Sequence, residues 1–343
     1  MLPGGKSFAA LILLGVGAWA MPGEAAETVD LKFASFPAGM NPGQLGIAFT
    51  QVVQKDTPYR LQVTTGKSGP QMMIEGLKHE WDIFFGTPEA AAAMRTRDLM
   101  FEKVVDAPEL AKQNRAILSM SLGIYHWTVF ESSGIKRFED IKGKKVFLGA
   151  PASAALALTT DVIRAVTGYE PDKDYTRLRF DWASMGSAFA DRQVVMASLP
   201  TNAPSPMVQQ WAASERVRFL GIPKEKLEHP LIADFLKRPG RTVEVMPVGA
   251  YGDRQANTEP VYVLGSWVML TTTPKLSEEA VYKMTKAFWE NLDVIHATAA
   301  WMKAINKETA FREINIPLHA GAYRYYKEAG FNPPDSLRPP EVN

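Results

Sequence analysis

The stretch of sequence that decides the fold runs from residue 135 to residue 163 and reads IKRFEDIKGKKVFLGAPASAALALTTDVI. A charged turn leads into a strand-like run at 146–149, and a loop of small residues follows at 150–155. The helix predicted after this loop carries its apolar side chains at helical spacing: Leu156, Leu158, Val162 and Ile163. Such a junction leaves backbone N–H groups free beside the positive end of a helix dipole, so it can hold an anion without a basic side chain. The alternative is an ordinary strand-to-helix turn of an α/β domain.

Three strand–helix units precede this stretch. Strands are predicted at 31–35, 61–64 and 82–85, and each ends in a loop that leads into a helix. Consecutive units of this kind indicate a mostly parallel sheet, in which ligands bind at the carboxyl ends of the strands. The loops at Ser35, at 66–68 and at Thr87 are therefore expected to share one rim. Asn41 is expected to cap the first of these helices, with Pro42 in its first turn.

Two apolar runs are too long for a strand of one small sheet. They cover residues 117–130 and 261–271, and each has a glycine near its middle, Gly123 and Gly265. A second set of strand–helix elements lies between them, with strands predicted at 194–198, 217–220 and 243–246 and a loop at 199–204. Two long strands that bracket a second α/β unit predict a hinge.

The expected fold is therefore α/β with two lobes, each a mixed and mostly parallel sheet flanked by helices, joined by a two-stranded hinge. Lobe 1 is expected to comprise residues 28–123 and 266–330, and lobe 2 residues 124–265. The clearest helix is predicted to start at Ser277, and its buried stripe continues to Ile295. A C-terminal helix is predicted to end at Gly330.

Composition excludes several classes of protein. The 343 residues carry a formal net charge of +1, which disfavours a polyanion such as nucleic acid as partner. Cysteine is absent, so disulfides and thiolate chemistry are excluded. Residues 1–25 are predicted to be a signal peptide, cleaved after Ala20 or Ala25, because Lys6 precedes a short apolar run. The mature chain is expected to be exported and monomeric.

Motifs for catalysis are not found. The five histidines have no partner at the spacing of a zinc-binding helix: His79, His126, His229, His296 and His319. Gly66-Lys67-Ser68 resembles the end of a phosphate-binding loop, but Leu61 stands where the first glycine is required. There is no G-x-S-x-G sequence. We therefore expect no enzyme activity, no metal and no cofactor.

Two further segments carry a family resemblance together with the opening stretch. Gly249-Ala250-Tyr251-Gly252, followed by Gln255, resembles the motif GTYPGQ, and PLHAGAYRYYKEAG at 317–330 resembles PLHPGAxRYYxEAG. These motifs are similar to those of the TAXI family, the periplasmic solute-binding subunits of one class of TRAP transporters. The resemblance implies a type II-like periplasmic binding protein that takes up a small carboxylate and delivers it to a TRAP-type membrane permease.

The candidate ligand-binding residues come from the loops and from the first long strand. Those suggested by the residue pattern are Thr87, Lys67, Ser68, Tyr125, His126, Trp127, Ala152, Ser153, Ala154, Thr201, Asn202 and Tyr251. The resemblance implies that the loops after the first two strands and the first turn of lobe 2 grip the ligand, which adds Ser35, Phe36, Ala38, Met40, Gly66 and Pro151.

The chain departs from the family pattern in the first of these loops. Phe36, Pro37 and Met40 stand where the family has glycines, so part of the pocket is expected to move or to become apolar. A carboxylate with an apolar or aromatic body is thus at least as plausible as a glutamate-like or 2-oxoglutarate-like ligand. An enzyme on the same two-lobed fold and a ligand sensor that reports to a receptor are the alternative functions.

Overall fold

The computed structural model describes Met1 and residues 28–38, 40–151 and 153–342. The predicted signal peptide, apart from Met1, lies outside the described residues, as does Ala152 of the candidate site. None of the described helices is both long enough and apolar enough to cross a bilayer.

Ten strands of the described residues form one mixed sheet. They are β1 (Val29–Ala34), β2 (Tyr59–Thr64), β3 (Ile83–Gly86), β4 (Arg115–Phe130), β5 (Lys145–Phe147), β6 (Thr176–Arg177), β7 (Met196–Thr201), β8 (Val217–Leu220), β9 (Arg241–Met246) and β10 (Val261–Thr272). The strand order is β2-β1-β3-β10-β4-β7-β5-β6, with β8 also paired to β4 and β9 to β10.

Helices cover the sheet, and single turns of 3₁₀ helix join several of the elements. The α-helices are α1 (Asn41–Asp56), α2 (Gly69–Leu77), α3 (Pro88–Thr96), α4 (Ala107–Ala111), α5 (Ala154–Thr167), α6 (Trp182–Ala190), α7 (Pro206–Ser214), α8 (Pro230–Leu236), α9 (Glu278–Glu290), α10 (Leu292–Thr298) and α11 (Ala320–Glu328).

Strands β4 and β10 are the two long strands that the sequence predicts, and they pair with each other. Their antiparallel register runs from Arg115 opposite Thr272 to Ser121 opposite Trp267. The second half of β4 pairs with β7 and β8, while the first half of β10 pairs with β9. The hydrogen-bonded ladder is therefore continuous from one end of the molecule to the other.

Buried apolar side chains form two separate cores. Core 1 takes its residues from Leu31 to Met120 and from Val268 to Leu337. Core 2 takes its residues from Tyr125 to Leu264. The α/β fold class is confirmed, with a mixed sheet flanked by helices and two long strands that run through both cores. Residues 121–124 on β4 and 265–267 on β10 separate the two cores, and the division of the chain into two lobes stays a prediction.

Some predicted element boundaries are wrong. The helix expected to continue from Ser277 to Ile295 is two helices, because α9 ends at Glu290 and α10 begins at Leu292. At the break, the Asn291 side chain donates to the carbonyl of Ala287 at 2.8 Å. The predicted loop at 199–204 begins later, since β7 continues through Pro200 to Thr201.

Candidate functional site

The topology brings the carboxyl ends of the strands in both halves to one region. Strands β1, β2 and β3 are parallel to each other, and β3 and the first half of β4 are both antiparallel to β10. Strand β7 is antiparallel to β4, with Thr201 opposite Ile124, and β5 and β6 are parallel to β7. The loops after β1, β2 and β3 therefore approach residues 121–124 from one side, and the loops after β5, β6 and β7 approach from the other. We call this region the interlobe gap.

The β4 backbone at the gap is fixed by both halves of the molecule. The Asn202 side chain, after β7, donates to the carbonyl of Ser121 at 3.1 Å. The Asn41 side chain, in the first turn of α1, donates to the next carbonyl, that of Leu122, at 3.2 Å. The prediction that Asn41 caps α1 is therefore wrong: Asn41 is the first residue of the helix, and Met40 occupies the N-cap position. Gly123 follows with φ of +148°, and a Cβ there would lie 2.9 Å from the backbone of Thr201.

A cavity of about 330 Å³ opens beside these residues. Its walls come from core 1, from core 2 and from β4 itself, and most of them are apolar. We call it the crossover pocket; its lining residues are Met120, Ser121, Ile124, Asn202, Ala203, Pro204, Glu244, Val245, Pro247, Ala250, Trp267, Trp301, Ala304, Ile305, Thr309 and Arg312.

The charged groups of the crossover pocket are one arginine and one glutamate. Arg312 Nη2 lies 2.7 Å from Glu244 Oε1, and the guanidinium lies 4.8 Å from the centre of the Trp267 ring. The same carboxylate oxygen accepts hydrogen bonds from Thr242 Oγ1 at 2.7 Å and from Trp267 Nε1 at 3.3 Å. On another wall, Trp301 Nε1 donates to Gln44 Oε1 at 2.8 Å, which fixes the orientation of the indole.

Three of the predicted site residues cap helices that start at the gap. Ser68, Thr87 and Ser153 each accept a hydrogen bond from a backbone N–H in the first turn of α2, α3 and α5, respectively. Their hydroxyl oxygens therefore already satisfy one of the free amides of each helix, while the remaining first-turn amides stay available to an anion.

Lys67 forms an ion pair with Glu75 of the helix that follows it, α2. Its ammonium lies 3.0 Å from Glu75 Oε1, and Glu75 also accepts from Gln71 and Trp81. Burial alone would raise the pKa of Glu75, but the hydrogen bonds from Trp81, Lys67 and Gln71 outweigh this and lower the pKa below its ordinary value. The positive charge of Lys67 is thus already balanced.

The loop after β1 presents apolar side chains to the gap. Phe36 packs on Phe85 with ring centres 5.8 Å apart, and Met40 is 47% exposed. Ser35 is buried, and its Oγ has no hydrogen-bond partner among the described residues. The remaining predicted loop residues are exposed: Ala38, Gly66, Pro151 and Ala154.

The predicted aromatic residues of β4 belong to core 2. His126 and Trp127 are completely buried, and Tyr125 stacks on Trp127 with ring centres 5.9 Å apart. Trp127 Nε1 donates to Thr159 Oγ1 at 3.2 Å. The ring nitrogens of His126 and Trp127 are hydrogen-bonded inside the core and Tyr125 is buried, so we do not include these three residues in the candidate site.

A buried hydrogen-bond chain joins His126 to Tyr251 and α7. His126 Nδ1 lies 3.0 Å from the carbonyl of Ile124, which can only accept, so Nδ1 carries the proton. Nε2 then accepts from the Tyr251 hydroxyl at 2.8 Å, and that hydroxyl accepts from the Ser205 N–H at 3.0 Å. Desolvation lowers the pKa of His126 from 6.5 to about 4, and the hydrogen bond to Ile124 offsets only part of this. Tyr251 therefore holds the loop after β7 in place from within core 2.

Of the predicted site residues, the structure places Asn202 in the wall of the crossover pocket, with Thr201 immediately before it. Four further lining residues are not among those predicted from the sequence: Glu244, Trp267, Trp301 and Arg312. Trp267 lies two residues after Gly265 in a strand that the sequence predicts to be part of the hinge. Its place next to a gap between lobes could therefore be predicted. Trp301 lies in a short 3₁₀ helix, Ala300–Ala304, and Arg312 lies in irregular chain after it, so no periodic pattern indicates their orientation. Among the described residues, no group of three His, Asp or Glu side chains is placed to hold a metal ion.

Solved structures similar to this chain include several solute-binding proteins. A TctC solute-binding protein from Polaromonas has a TM-score of 0.49 at 13% identity, covering 81% of this chain and 86% of that chain. The periplasmic aliphatic sulphonate-binding protein SsuA from Escherichia coli has a TM-score of 0.44 at 12% identity, covering 91% and 96%. A TRAP periplasmic solute-binding protein from Shewanella oneidensis with bound succinate has a TM-score of 0.40 at 12% identity, covering 80% and 81%.

A family model gives the firmer relationship, because it matches residues 90–330 and so covers more than half of the chain. The matched region includes all of core 2, the crossover segment of β4, and the pocket residues from Met120 to Arg312. The chain belongs to the NMT1-like family.

Proposed function

We propose that the protein is a periplasmic solute-binding protein of a TAXI-type TRAP transporter. It captures a small organic acid in the interlobe gap, as a monomer, and delivers it to the membrane permease. The observation that carries the proposal is the crossover pocket, which draws its walls from both cores and places Arg312 against apolar side chains. A pocket built in this way closes when the two halves approach each other, so a permease can distinguish the loaded protein from the empty one.

The chemistry of the pocket supports binding without catalysis. The carboxylate among its lining residues, Glu244, is held by Arg312, Trp267 and Thr242, so it is not free to act as a base. His126 lies in core 2 with both ring nitrogens hydrogen-bonded. The periplasmic location rests on the predicted signal peptide at 1–25 and on the resemblance of the motifs at 249–255 and 317–330 to the TAXI family.

Ligand screening of the mature protein tests this proposal. Small carboxylates and sulfonates, neutral sugars and metal ions are each added, and the melting temperature is measured. We expect organic acids to raise the melting temperature by mass action. We also expect mass spectrometry to recover the bound compound unchanged after denaturation. A response to sugars or metals only, or conversion of the bound compound, would contradict the proposal.

The Arg312→Gln substitution locates the site within the gap. Loss of a charge-assisted hydrogen bond to the ligand is expected to weaken organic acid binding by roughly 10- to 100-fold. Arg60→Gln, at an exposed position on β2, is the matched control and should leave the affinity unchanged. If the Arg312 variant binds as tightly as the wild type, the ligand does not contact Arg312. The first turns of α2, α3 and α5 would then be the better candidate site.

A further inference from the structure

We propose that the ligand of the crossover pocket is a zwitterion with an apolar body, whose anionic group meets Arg312 and whose ammonium group meets Glu244. This inference rests on the proposed solute-binding function and specifies the ligand class. It adds an ammonium group to the carboxylate with an apolar or aromatic body that the sequence predicts.

The arrangement of charge in the pocket carries the inference. Glu244 belongs to β9, within core 2, and Arg312 lies in the segment of core 1 between α10 and α11. Their side chains are 17% and 38% exposed, and their closest atoms are 2.7 Å apart. A lone arginine would favour an anionic ligand, but this arginine has a carboxylate directly beside it. The two charges of the pocket therefore sum to zero.

A ligand with only a carboxylate is poorly matched to this pair. Its negative charge would have to approach Arg312 while lying within a few ångströms of Glu244, in a partly desolvated cavity where like charges repel strongly. A ligand with only an ammonium meets the same difficulty at Arg312. A zwitterion satisfies both protein charges, and each of its own charges gains an opposite partner.

The hydrogen-bonding capacity of the two side chains fits this assignment. Glu244 Oε1 accepts from Thr242, Trp267 and Arg312, whereas Oε2 accepts one contact among the described residues, 3.3 Å from Arg312 Nη1. A carboxylate oxygen has room for a further donor, which an ammonium supplies. The guanidinium has five N–H groups, so it has donors left for a ligand anion.

The other lining residues indicate the size and polarity of the rest of the ligand. The indoles of Trp267 and Trp301 line the pocket, and an indole face stabilises an adjacent ammonium. Met120, Ile124 and Ile305 offer apolar contacts to a small hydrocarbon group. The volume of about 330 Å³ limits the ligand to a compact molecule.

Matched ligand sets test the charge requirement by isothermal titration calorimetry. Each set contains a zwitterion, the same molecule without its ammonium, and the same molecule without its carboxylate. Leucine, 4-methylpentanoate and 3-methylbutylamine form one set; phenylalanine, 3-phenylpropanoate and 2-phenylethylamine form the other. We expect at least one zwitterion to bind about tenfold or more tightly than both of its truncated analogues.

Glu244→Gln provides the second readout. Its carboxamide oxygen can still accept from Thr242 and Trp267, so the pocket wall is retained while the negative charge is lost. We expect the variant to bind the zwitterion about tenfold less tightly and the carboxylate analogue more tightly than the wild type does. Glu228→Gln, an exposed glutamate outside the lining, is the control and should change neither affinity. Thermal unfolding of each variant verifies that it is folded.

The outcomes separate this inference from the proposed function. If the carboxylate analogues bind wild type as tightly as the zwitterions do, the zwitterion assignment fails while organic acid binding stands. If no zwitterion binds, the assignment fails as well, and the screen of acids, sugars and metals then decides the proposed function independently. An unchanged order of affinities in the Glu244 variant would also overturn the assignment.

Discussion

Gly123 shows how one residue determines the path of the chain between the two cores. Its φ of +148° lies in a region that residues with a Cβ rarely adopt, and the β7 backbone at Thr201 occupies the space that a Cβ would need. Gly134 also has a positive φ, +72°, but no atom lies within 4 Å of its Cβ position. An alanine would be strained by its φ angle at either position, but it would collide with neighbouring backbone only at Gly123.

We expect Gly123→Ala to lower the free energy of unfolding by more than Gly134→Ala does. Backbone strain costs about 1–3 kcal/mol at either site, and displacement of β7 adds to it only at Gly123. Chemical denaturation of the two variants measures the difference. Equal losses in the two variants would mean that the β4–β7 contact adjusts without cost.

His126 gives a prediction about pH. Its pKa is lowered to about 4 in the folded protein, against 6.5 for the ordinary side chain, so the unfolded chain takes up the proton first as the pH falls. Its contribution to stability is fully present above pH 6.5 and is lost between pH 6.5 and about 4. The loss amounts to about 3 kcal/mol.

Denaturation of the wild type and of His126→Gln at several pH values tests this prediction. The difference in unfolding free energy between the two should shrink as the pH falls through this window. His319, whose pKa is also lowered chiefly by burial, is present in both proteins and cancels. A difference that does not change with pH would show that the pKa of His126 is the same in the folded and the unfolded protein.

Individual site residues were only partly predictable from sequence. Gly123 was recognised because a glycine in a long strand is informative by itself. Asn202 was recognised because it follows a predicted strand. Arg312 was not, since it lies in chain without periodicity, and its position depends on contacts more than 60 residues away, such as that with Glu244. Tyr125, His126 and Trp127 alternate along β4, but the sequence does not show that β7 and β8 both pair with this half of the strand.

At the scale of elements, the segment at 317–330, which resembles the TAXI family, packs α11 against α9. His319 Nδ1 accepts from the N–H of Gly321 and so caps α11, and its Nε2 donates to the carbonyl of Leu276. A Cβ on Gly321 would lie 2.1 Å from the carbonyl oxygen of Glu278 in α9. The motif thus allows α11 and α9 to approach each other closely on core 1.

Gly321→Ala is expected to push α11 away from α9 and to destabilise core 1 by about 1–3 kcal/mol. Gly186→Ala is the matched control, because Gly186 is also helical and its Cβ would meet Met207 at an ordinary 3.6 Å. That control should be neutral or slightly stabilising, since alanine is the better helix former. Thermal unfolding compares them, and a tolerated Gly321 variant would disprove the close-packing account.

The types and order of elements were more predictable than their ends. The apolar stripe from Val281 to Ile295 predicts one helix, because side chains on both sides of Asn291 face the same core. The interruption depends on Asn291 itself, whose side chain donates to Asp56 of α1 as well as to its own helix. The residues next to Asn291 in the sequence do not indicate a contact with a distant element, so the end of α9 could not be predicted from them.

At the scale of the whole molecule, a second set of polar contacts joins the two halves beside β10, where Arg241 stands opposite Ser266. Glu89, at the start of α3, pairs with both Arg241 and Arg238, and its side chain is 12% exposed. Close by, the N–H of Gly240 donates to Glu313 at 3.1 Å. These contacts hold the turn between α8 and β9 against core 1.

We expect Glu89→Gln to weaken this attachment and to lower the unfolding free energy by about 1–3 kcal/mol, because two arginines lose their counter-charge. Glu290→Gln is the control: Glu290 pairs with Lys286 inside α9, and both side chains are about half exposed. That exposed pair should contribute much less than the Glu89 contacts do. Urea denaturation measures both, and equal small losses would show that the Glu89 contacts add nothing to the attachment of the two halves.

The two asparagines at the crossover have a consequence for how the protein changes shape. Asn202 holds the carbonyl of Ser121 and Asn41 holds that of Leu122, so neighbouring peptide groups are anchored to opposite halves. Along β4, a rotation of one half against the other must change φ or ψ of Leu122, which joins these two peptide groups, or release one amide contact. On this strand, such a rotation would therefore concentrate in two bonds of the backbone. The distance between two spectroscopic labels that flank residues 121 and 122 should therefore change more on opening than the distance between two labels elsewhere on β4.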